Sequence, residues 1–308
     1  MIHIYIYMNI KIIEIILIVL LVLFLKFIQI FMLPSNITQS FPKIKEIYEV
    51  KSKHQTIRIV DEKNLGRVLL CDNEVQLSQK DDSNYHELLV HFPSLYVKDL
   101  NIENVLIIGG GDLMTLREVM KYPTIKNVVI LEIDPVLVEA CIKYFNMDDY
   151  KNDERVQIIY GDAYNTIDEI KLNFDLCIID TTEDNEANLS IDKKDFFLKC
   201  QSKLKKDGIC VKNGAEWSDI MNQVFGSSIT YGIYIKTFDD IYRFCISSND
   251  DEKILYKRIP RISWMLKGIS TYVYDINKHT DYVIWNYSSF LKTKIKEKQF
   301  DSNYLLMK

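Results

Sequence analysis

The fold is decided by residues 104–119, Asn-Val-Leu-Ile-Ile-Gly-Gly-Gly-Asp-Leu-Met-Thr-Leu-Arg-Glu-Val. The four apolar residues 105–108 predict a short strand that is buried on both faces. Three glycines and Asp112 then form a turn, and the spacing of 113–120 predicts a helix. A strand, a glycine turn and a helix in this order are typical of the first half of a nucleotide-binding α/β domain.

Downstream of this unit, apolar strands continue to alternate with helices. We predict strands at 128–131, 156–160, 176–179 and 209–211, a helix at 136–145, and further helices between the later strands. Short, fully apolar strands that alternate with helices indicate a parallel sheet covered on both faces. The predicted class is therefore α/β, with a Rossmann-like parallel-sheet nucleoside-binding domain.

Upstream, the pattern is that of a small antiparallel β unit. β-rich runs at 56–60, 67–71 and 74–77 are separated by turn residues, and residues 83–96 have mixed helical spacing. The predicted division is 1–33 as a hydrophobic segment, 34–98 as a small β-sheet domain plus helix, 99–290 as a Rossmann-like catalytic domain and 291–308 as a lysine-rich tail.

The hydrophobic segment suggests a membrane anchor, because its run 15–25 carries no charge. A span needs about 20 mainly apolar residues, so we predict a single-pass transmembrane helix within 1–33. More lysines follow the tract than precede it, which places the catalytic domain in the cytosol. Two alternatives stay open: Met32 as the true start, which gives a cytosolic protein, and an ordinary core helix.

Charge and cysteine content narrow the class of protein. The 38 Lys and Arg residues against 43 Asp and Glu residues give a formal charge of −5, so no basic field favours nucleic acid. The six cysteines form no Cys-x-x-Cys pair and lie mostly in apolar or amphipathic stretches. They indicate buried thiols in a reducing compartment rather than disulfides.

The glycine turn and two acids predict a nucleoside site. Gly109, Gly110 and Gly111 would let the backbone and the free N–H groups of the helix start approach a ligand. Glu132 ends the next strand, about 20 residues on, where an acid binds ribose hydroxyls. Asp162 follows the third strand and is positioned to accept from an adenine amino group. Each acid could instead cap a helix.

Two aspartates favour a positively charged ligand. Asp112 in the glycine turn would repel a pyrophosphate, and Leu113 and Met114 break the Gly-x-Gly-x-x-Gly pattern. A sulfonium nucleoside with a protonated amine fits better than a dinucleotide. Asp180 ends the fourth strand, so the two aspartates are predicted to converge beyond the carboxyl ends of the strands. The acidic loop that begins at Glu183 either joins this site or is solvated.

These residues resemble the polyamine aminopropyltransferases, the family of spermidine and spermine synthases. The resemblance covers about residues 48–287. The matching segments are Leu-Leu-Cys-Asp-Asn-Glu-Val-Gln-Leu at 69–77, Asp-Asp-Ser-Asn-Tyr-His-Glu at 81–87, the stretch 105–119, Glu-Ile-Asp at 132–134, Gly-Asp-Ala at 161–163, and 174–182, which ends Asp-Thr-Thr.

The resemblance implies transfer of an aminopropyl group from decarboxylated S-adenosylmethionine, as co-substrate, to a polyamine, with release of methylthioadenosine. It implies no cofactor and no metal, and we expect a homodimer that binds no nucleic acid. By position, Asp180 is catalytic, and it holds the aminopropyl ammonium together with Asp112. The implied substrate-binding residues are Gln55, Gln76, Tyr85, His86, Asp112, Glu132, Asp162, Ala163, Glu183 and Phe238.

On the acceptor side the chain departs from the family pattern. The family's Asp-Pro-x-Gly-Pro is replaced after Asp180 by Glu-Asp-Asn-Glu at 183–186, and Phe238 lacks the hydroxyl of the family's tyrosine. We therefore expect an altered acceptor loop, with either a preference for amines longer than putrescine or low activity with all amines. The alternatives are a catalytically degenerate homologue that acts as a binding or partner subunit, and an S-adenosylmethionine-dependent methyltransferase, which Asp112 disfavours.

Overall fold

The strands form two sheets, a small one followed by a large one. The computed structural model describes residues 44–97, 101–182, 191, 193–214, 216–226, 228–235, 237–238, 240–249 and 273–274. In the small sheet, β1 (Ile44–Lys51), β2 (Thr56–Glu62), β3 (Gly66–Cys71) and β4 (Glu74–Ser78) lie in chain order. β2, β3 and β4 are antiparallel neighbours, which confirms the predicted antiparallel unit.

The large sheet has a parallel part that carries the glycine turn. Its strands β5 (Asn104–Gly109), β6 (Asn127–Glu132), β7 (Val156–Tyr160), β8 (Phe174–Asp180) and β9 (Leu204–Asn213) lie in the order β9-β8-β5-β6-β7. All four neighbouring pairs are parallel. The predicted alternation of strands and helices from residue 105 onward is therefore confirmed.

The large sheet as a whole is mixed, so the predicted parallel strands form only part of it. β10 (Ile229–Ile235), β11 (Asp240–Ser248) and β12 (Val273–Tyr274) extend it beyond β9, with antiparallel pairing throughout. The physical reason lies in the connection between β10 and β11. The two strands are joined by residues 236–239 alone. A connection of this length permits a hairpin but is too short for the crossover that parallel strands require.

Seven α-helices accompany the sheets in the described chain. They are α1 (Asp82–Ser94), α2 (Met114–Val119), α3 (Pro135–Phe145), α4 (Asp148–Lys151), α5 (Ala163–Thr166), α6 (Lys194–Lys203) and α7 (Ser218–Phe225). Val105 and Ile107 of β5 point into one apolar core, and Leu106 and Ile108 point into another on the opposite face. Burial on both faces explains why β5 is apolar at consecutive positions. All six cysteines are buried thiols, as predicted.

The turn between β5 and α2 requires glycine because two parts of the backbone meet there. Gly109 and Gly110 have φ of +75° and +67°, in the left-handed region that disfavours a Cβ. A Cβ on Gly109 would lie 2.2 Å from the carbonyl oxygen of Asp180. The N–H of Gly110 donates to that same oxygen at 2.8 Å. The turn thus joins the end of β5 to the end of β8.

Replacing Gly109 by Ala is expected to lower the free energy of unfolding by about 2–5 kcal/mol, from backbone strain and overpacking together. Gly66→Ala is a matched control, because Gly66 has a similar φ of +72° but its nearest neighbour is the Gln79 side chain, at 3.1 Å. The control should lose only about 1–2 kcal/mol. Urea denaturation of both variants measures the difference, and equal losses would contradict the close backbone contact.

No helix among the residues that the structure describes is long and apolar enough to cross a membrane. The longest of these helices, α1, has 13 residues, whereas a span needs about 20. The predicted single-pass membrane location finds no support in the described residues and is withdrawn. The tract 1–33 on which that prediction rested, including Met32, lies outside the described residues, and so does the tail 291–308.

Candidate active site

A cavity of about 350 Å³ lies at the carboxyl ends of β5, β6 and β8, where open α/β sheets bind their ligands. Every site residue predicted from the sequence lines it, apart from Glu183, which lies outside the described residues. These lining residues are Gln55, Gln76, Tyr85, His86, Gly109, Gly110, Gly111, Asp112, Glu132, Asp162, Ala163, Asp180 and Phe238. The two sheets and α1 therefore contribute to one site.

Asp180, the last residue of β8, is held by two hydroxyl groups. The Tyr85 hydroxyl donates to Oδ1 at 2.7 Å, and the Thr115 hydroxyl donates to Oδ2 at 2.5 Å. Burial, and then the nearby Asp112 carboxylate, raise the pKa of Asp180. A fixed carboxylate with an increased affinity for protons is suited to act as a general base.

Asp112 faces a charged imidazole. Nε2 of His86 lies 3.4 Å from Oδ2 of Asp112, and Nδ1 of His86 donates to the main-chain oxygen of Asp82 at 2.7 Å. Burial opposes the charge on His86, but the carboxylates of Asp112 and Asp180 outweigh it and raise the pKa of His86 to about 9. Burial likewise opposes ionisation of Asp112, and the charge on His86 nevertheless lowers the pKa of Asp112.

These three side chains form a compact group that could hold a cation. One ligand atom each of His86, Asp112 and Asp180 lies within 4.8 Å of the others. The two carboxylates suit an ammonium group, whereas a metal ion would also need His86 in its neutral form. Two carboxylates against one imidazolium leave an excess of one negative charge, which matches a singly charged ammonium. The expectation that no metal binds stays a prediction.

Glu132, at the end of β6, is buried beside the glycine turn. The N–H of Asp134 donates to its Oε1 at 2.8 Å. Burial, with a contribution from the Asp134 carboxylate, raises the pKa of Glu132 to about 7. A Cβ on Gly111 would lie 2.8 Å from Oε2 of Glu132. Glycine at position 111 therefore leaves room for this carboxylate at the wall of the cavity.

Gln55, at the edge of the small sheet, is tied to the same region through Asp134. Its Nε2 donates to Oδ2 of Asp134 at 3.1 Å, and the Ser52 hydroxyl donates to that oxygen at 2.6 Å. The Oε1 of Gln55 is buried and has no hydrogen-bond partner among the described residues. Since Gln55 lines the cavity, this oxygen is an acceptor for a ligand donor.

The capping alternative raised from the sequence is observed for Asp162, which is the N-cap of α5, and Asp112 binds the first turn of α2 in a similar way. Asp162 accepts from the N–H of Tyr164 at 2.9 Å, at the start of α5. Asp112 accepts from the N–H of Met114 at 2.8 Å, at the start of α2. Both residues also line the cavity. The second oxygen of each carboxylate is engaged as well, by Nδ2 of Asn165 at 3.0 Å for Asp162 and by Nε2 of His86 at 3.4 Å for Asp112.

Sequence reasoning missed two residues that line this cavity, Tyr242 and Asn213, and one that holds Asp180, Thr115. Thr115 gave no signal, because its contact with Asp180 depends on how α2 packs against β8. Tyr242 lies in the unpredicted hairpin, with its ring centroid 5.0 Å from that of Tyr85. Asn213 lines the cavity as a polar residue that ends an apolar strand. The same signal identified Asp180 and could have identified Asn213.

Comparisons with known proteins agree with this arrangement. Residues 82–225 match the family model described as the spermine/spermidine synthase domain, and residues 37–79 match the spermidine synthase tetramerisation domain. A polyamine aminopropyltransferase of Clostridium botulinum (strain Eklund 17B / Type B) is 32% identical over 254 residues, which cover 81% of this chain and 84% of the relative. That of Thermoanaerobacter sp. (strain X514) is 33% identical over 235 residues, which cover 71% and 84%.

Solved structures are similar as well. A spermidine synthase in complex with the transition state analogue AdoDATO has a TM-score of 0.62 and 28% identity, over 67% of this chain and 74% of that chain. The spermidine synthase of Thermotoga maritima has a TM-score of 0.61 and 28% identity, over 67% and 73%.

Proposed function

The chain belongs to the spermine/spermidine synthase family, and from this premise we propose that its cavity transfers an aminopropyl group from decarboxylated S-adenosylmethionine to a polyamine. The observation that carries the proposal is the meeting of a nucleoside-type half, with Glu132 and Asp162, and a cation-type half, with Asp112 and Asp180, in one cavity. This combination fits a nucleoside that carries a positive charge.

In the proposed reaction, the lone pair of the acceptor amine attacks the aminopropyl carbon bonded to the sulfonium. The C–N bond forms as the C–S bond breaks, and the electron pair of the C–S bond stays on sulfur as the thioether of methylthioadenosine. Asp180 accepts the proton that the amine loses. The leaving group is already activated, so holding the two reactants in line supplies most of the rate acceleration. The hydroxyls of Tyr85 and Thr115 keep Asp180 in place.

On the nucleoside side, we propose that Glu132 binds the ribose hydroxyls and that Asp162 with Ala163 binds the adenine. Gln55 and Gln76 flank the nucleoside, and the buried Oε1 of Gln55 supports this role because it lacks a partner among the described residues. Gly109, Gly110 and Gly111 line the cavity at the turn, and we propose that their backbone lies against the nucleoside.

The aminopropyl ammonium is proposed to bind between Asp112 and Asp180, beside His86. The excess negative charge of this group supports an ammonium and disfavours a methyltransferase, because intact S-adenosylmethionine would bring a carboxylate against Asp112. Asp180 and its hydroxyl partners are all present, which favours an active enzyme over a degenerate homologue. Incubation with decarboxylated S-adenosylmethionine and a panel of amines tests this. Absence of methylthioadenosine release with every amine would contradict the proposal.

Phe238 provides a test of acceptor preference. It lines the cavity, with its ring centroid 5.4 Å from that of Tyr242, and it has no hydroxyl to donate. Phe238→Tyr should lower KM for putrescine about 2- to 10-fold, the value of one neutral hydrogen bond. Steady-state kinetics with putrescine and spermidine measure the change, with Phe238→Leu as the control for ring packing. An equal change for both amines would show that Phe238 does not set acceptor length.

The match of residues 37–79 to a tetramerisation domain supports an oligomer. The homodimer expected from the sequence and a tetramer are both consistent with this match, and light scattering on the purified protein distinguishes them.

A further inference from the structure

Asp81 is a buried carboxylate beside the site that the proposed reaction does not use. It is 5% exposed and occupies the N-cap position of α1, but its side chain makes no capping hydrogen bond. An aspartate at an N-cap ordinarily accepts from an N–H of the first helical turn and so stabilises the helix. The carboxylate of Asp81 therefore serves a contact outside its own helix.

That contact is with residues 236–239, the turn between β10 and β11. Oδ2 of Asp81 accepts from the main-chain N–H of Thr237 at 2.8 Å, and Oδ1 accepts from the Thr237 hydroxyl at 2.5 Å. The Ser78 hydroxyl, at the end of β4, donates to Oδ1 at 2.8 Å. Three donors offset the cost of removing this carboxylate from water. Asp81 thus joins the small sheet, the start of α1 and the turn 236–239.

The turn 236–239 carries Phe238 into the cavity. The ring centroid of Phe238 lies 5.4 Å from that of Tyr242, which in turn lies 5.0 Å from that of Tyr85. The Tyr85 hydroxyl donates to Oδ1 of Asp180 at 2.7 Å. Three aromatic rings therefore lead from the turn to the proposed general base, and the space beside that base depends on where the turn holds Phe238.

The nucleoside half of the cavity lies on the other side of β5. In the large sheet, β6 and β7 lie on one side of β5, and β8, β9, β11 and β10 lie on the other. Glu132 ends β6 and Asp162 follows β7, whereas Asp180 and Phe238 belong to the opposite side. A displacement of the turn 236–239 should therefore alter the space for the acceptor amine and leave the nucleoside contacts unchanged.

We propose that Asp81 is a positioning residue that holds the turn 236–239, and Phe238 with it, and thereby shapes the acceptor half of the cavity. This inference rests on the proposed function. It assigns Asp81 an effect on the KM of the acceptor amine and none on nucleoside affinity.

The test compares Asp81→Ala with Glu62→Ala. Glu62 is a matched control because it is also a buried carboxylate that binds a turn, the one between β2 and β3. It is 7% exposed, and its Oε2 accepts from the N–H groups of Asn64 and Leu65 at 2.6 and 2.9 Å. Both variants should lower the melting temperature, because each leaves buried donors without their acceptor.

The two variants should differ in steady-state kinetics. Asp81→Ala should raise the KM of the best amine about tenfold, because the amine must then order the turn as it binds. Its kcat at saturating amine should stay within about threefold of the wild type, and its methylthioadenosine affinity within about twofold. Glu62→Ala should leave the amine KM unchanged. In a Phe238→Leu background, Asp81→Ala should raise the amine KM less than about twofold, because its effect passes through the Phe238 ring.

Thr237→Val serves if Asp81→Ala does not fold, because it removes the hydroxyl and keeps the main-chain donor. The amine KM of this variant should rise about threefold, close to the value of one hydrogen bond. Thr237→Ser keeps the hydroxyl and should match the wild type. A wild-type amine KM in both Asp81→Ala and Thr237→Val would overturn the inference. An equal rise in Glu62→Ala would also overturn it, since the effect would then follow from lost stability.

If the wild-type protein transfers no aminopropyl group to any amine, the proposed function fails. Amide exchange in peptides covering 229–248 then tests the role of Asp81 separately. Exchange that is faster in Asp81→Ala than in both the wild type and Glu62→Ala supports the holding of the turn by Asp81. Exchange at the wild-type rate in Asp81→Ala would refute it.

Discussion

Replacing Asp180 by Asn should lower kcat by about 10²- to 10⁴-fold, the usual contribution of a general base. The amide has nearly the shape of the carboxylate but cannot accept a proton from the attacking amine. Asp180 is held by Tyr85 and Thr115, and both hydroxyls can still donate to the amide oxygen or accept from its nitrogen. The fold and the nucleoside half of the cavity should therefore be preserved. Release of methylthioadenosine with saturating amine measures the loss.

Nucleoside binding is the control for this variant. Calorimetry with methylthioadenosine should give an affinity within about threefold of the wild type, since the nucleoside makes its proposed contacts with Glu132 and Asp162. Thr115→Val is a matched variant that removes one partner of Asp180 and should reduce kcat less. Turnover in Asp180→Asn at the wild-type rate would show that the amine loses its proton elsewhere.

The second large effect is expected at Glu132. Glu132→Ala should weaken methylthioadenosine binding by about 3–6 kcal/mol, because two charge-assisted hydrogen bonds to the ribose are lost and each contributes about 1.5–3 kcal/mol. This corresponds to a loss of affinity of at least 10²-fold. Glu139→Ala, an exposed position on α3, is the matched control and should bind as the wild type does. Unchanged affinity in Glu132→Ala would refute the assignment.

The pH dependence of binding tests the same residue by another route. Burial raises the pKa of Glu132 to about 7, and the ribose hydroxyls donate to the ionised form. Wild-type affinity for methylthioadenosine should therefore be constant above pH 7 and fall as the pH drops below it, by up to about tenfold per unit. Glu132→Ala should lack this dependence. Calorimetry between pH 5.5 and 8.5 covers the relevant range.

The fold was predictable where one residue pattern had one physical explanation. The apolar run 105–108 is buried on both faces, and its prediction as a parallel strand is confirmed by β5. The hairpin of β10 and β11 escaped prediction, and with it the mixed character of the sheet. β1 also escaped prediction, because its sequence Ile-Lys-Glu-Ile-Tyr-Glu-Val-Lys does not alternate regularly between apolar and polar residues. All eight of its side chains are half-buried or exposed.

Site residues could be predicted from the sequence when they were the last residue of a parallel strand. Asp180 and Glu132 end β8 and β6, and the geometry of a parallel sheet brings such ends to one edge. Contacts across elements gave no such signal. The pairing of His86 with Asp112, for instance, depends on how α1 packs beside the glycine turn. The sequence alone therefore did not indicate that Asp112 would form an ion pair with His86.

The pairing order of the large sheet has a consequence for how the protein folds. Gly109 lies beside Asp180 in the register of β5 and β8, and the hydrogen bond from Tyr85 to Asp180 spans 95 residues of chain. Contacts of this separation require loop closure before they contribute energy, which slows folding. The cavity therefore does not exist until the central strands have met. A nucleoside that binds the assembled cavity and not the unfolded chain stabilises the whole sheet against unfolding.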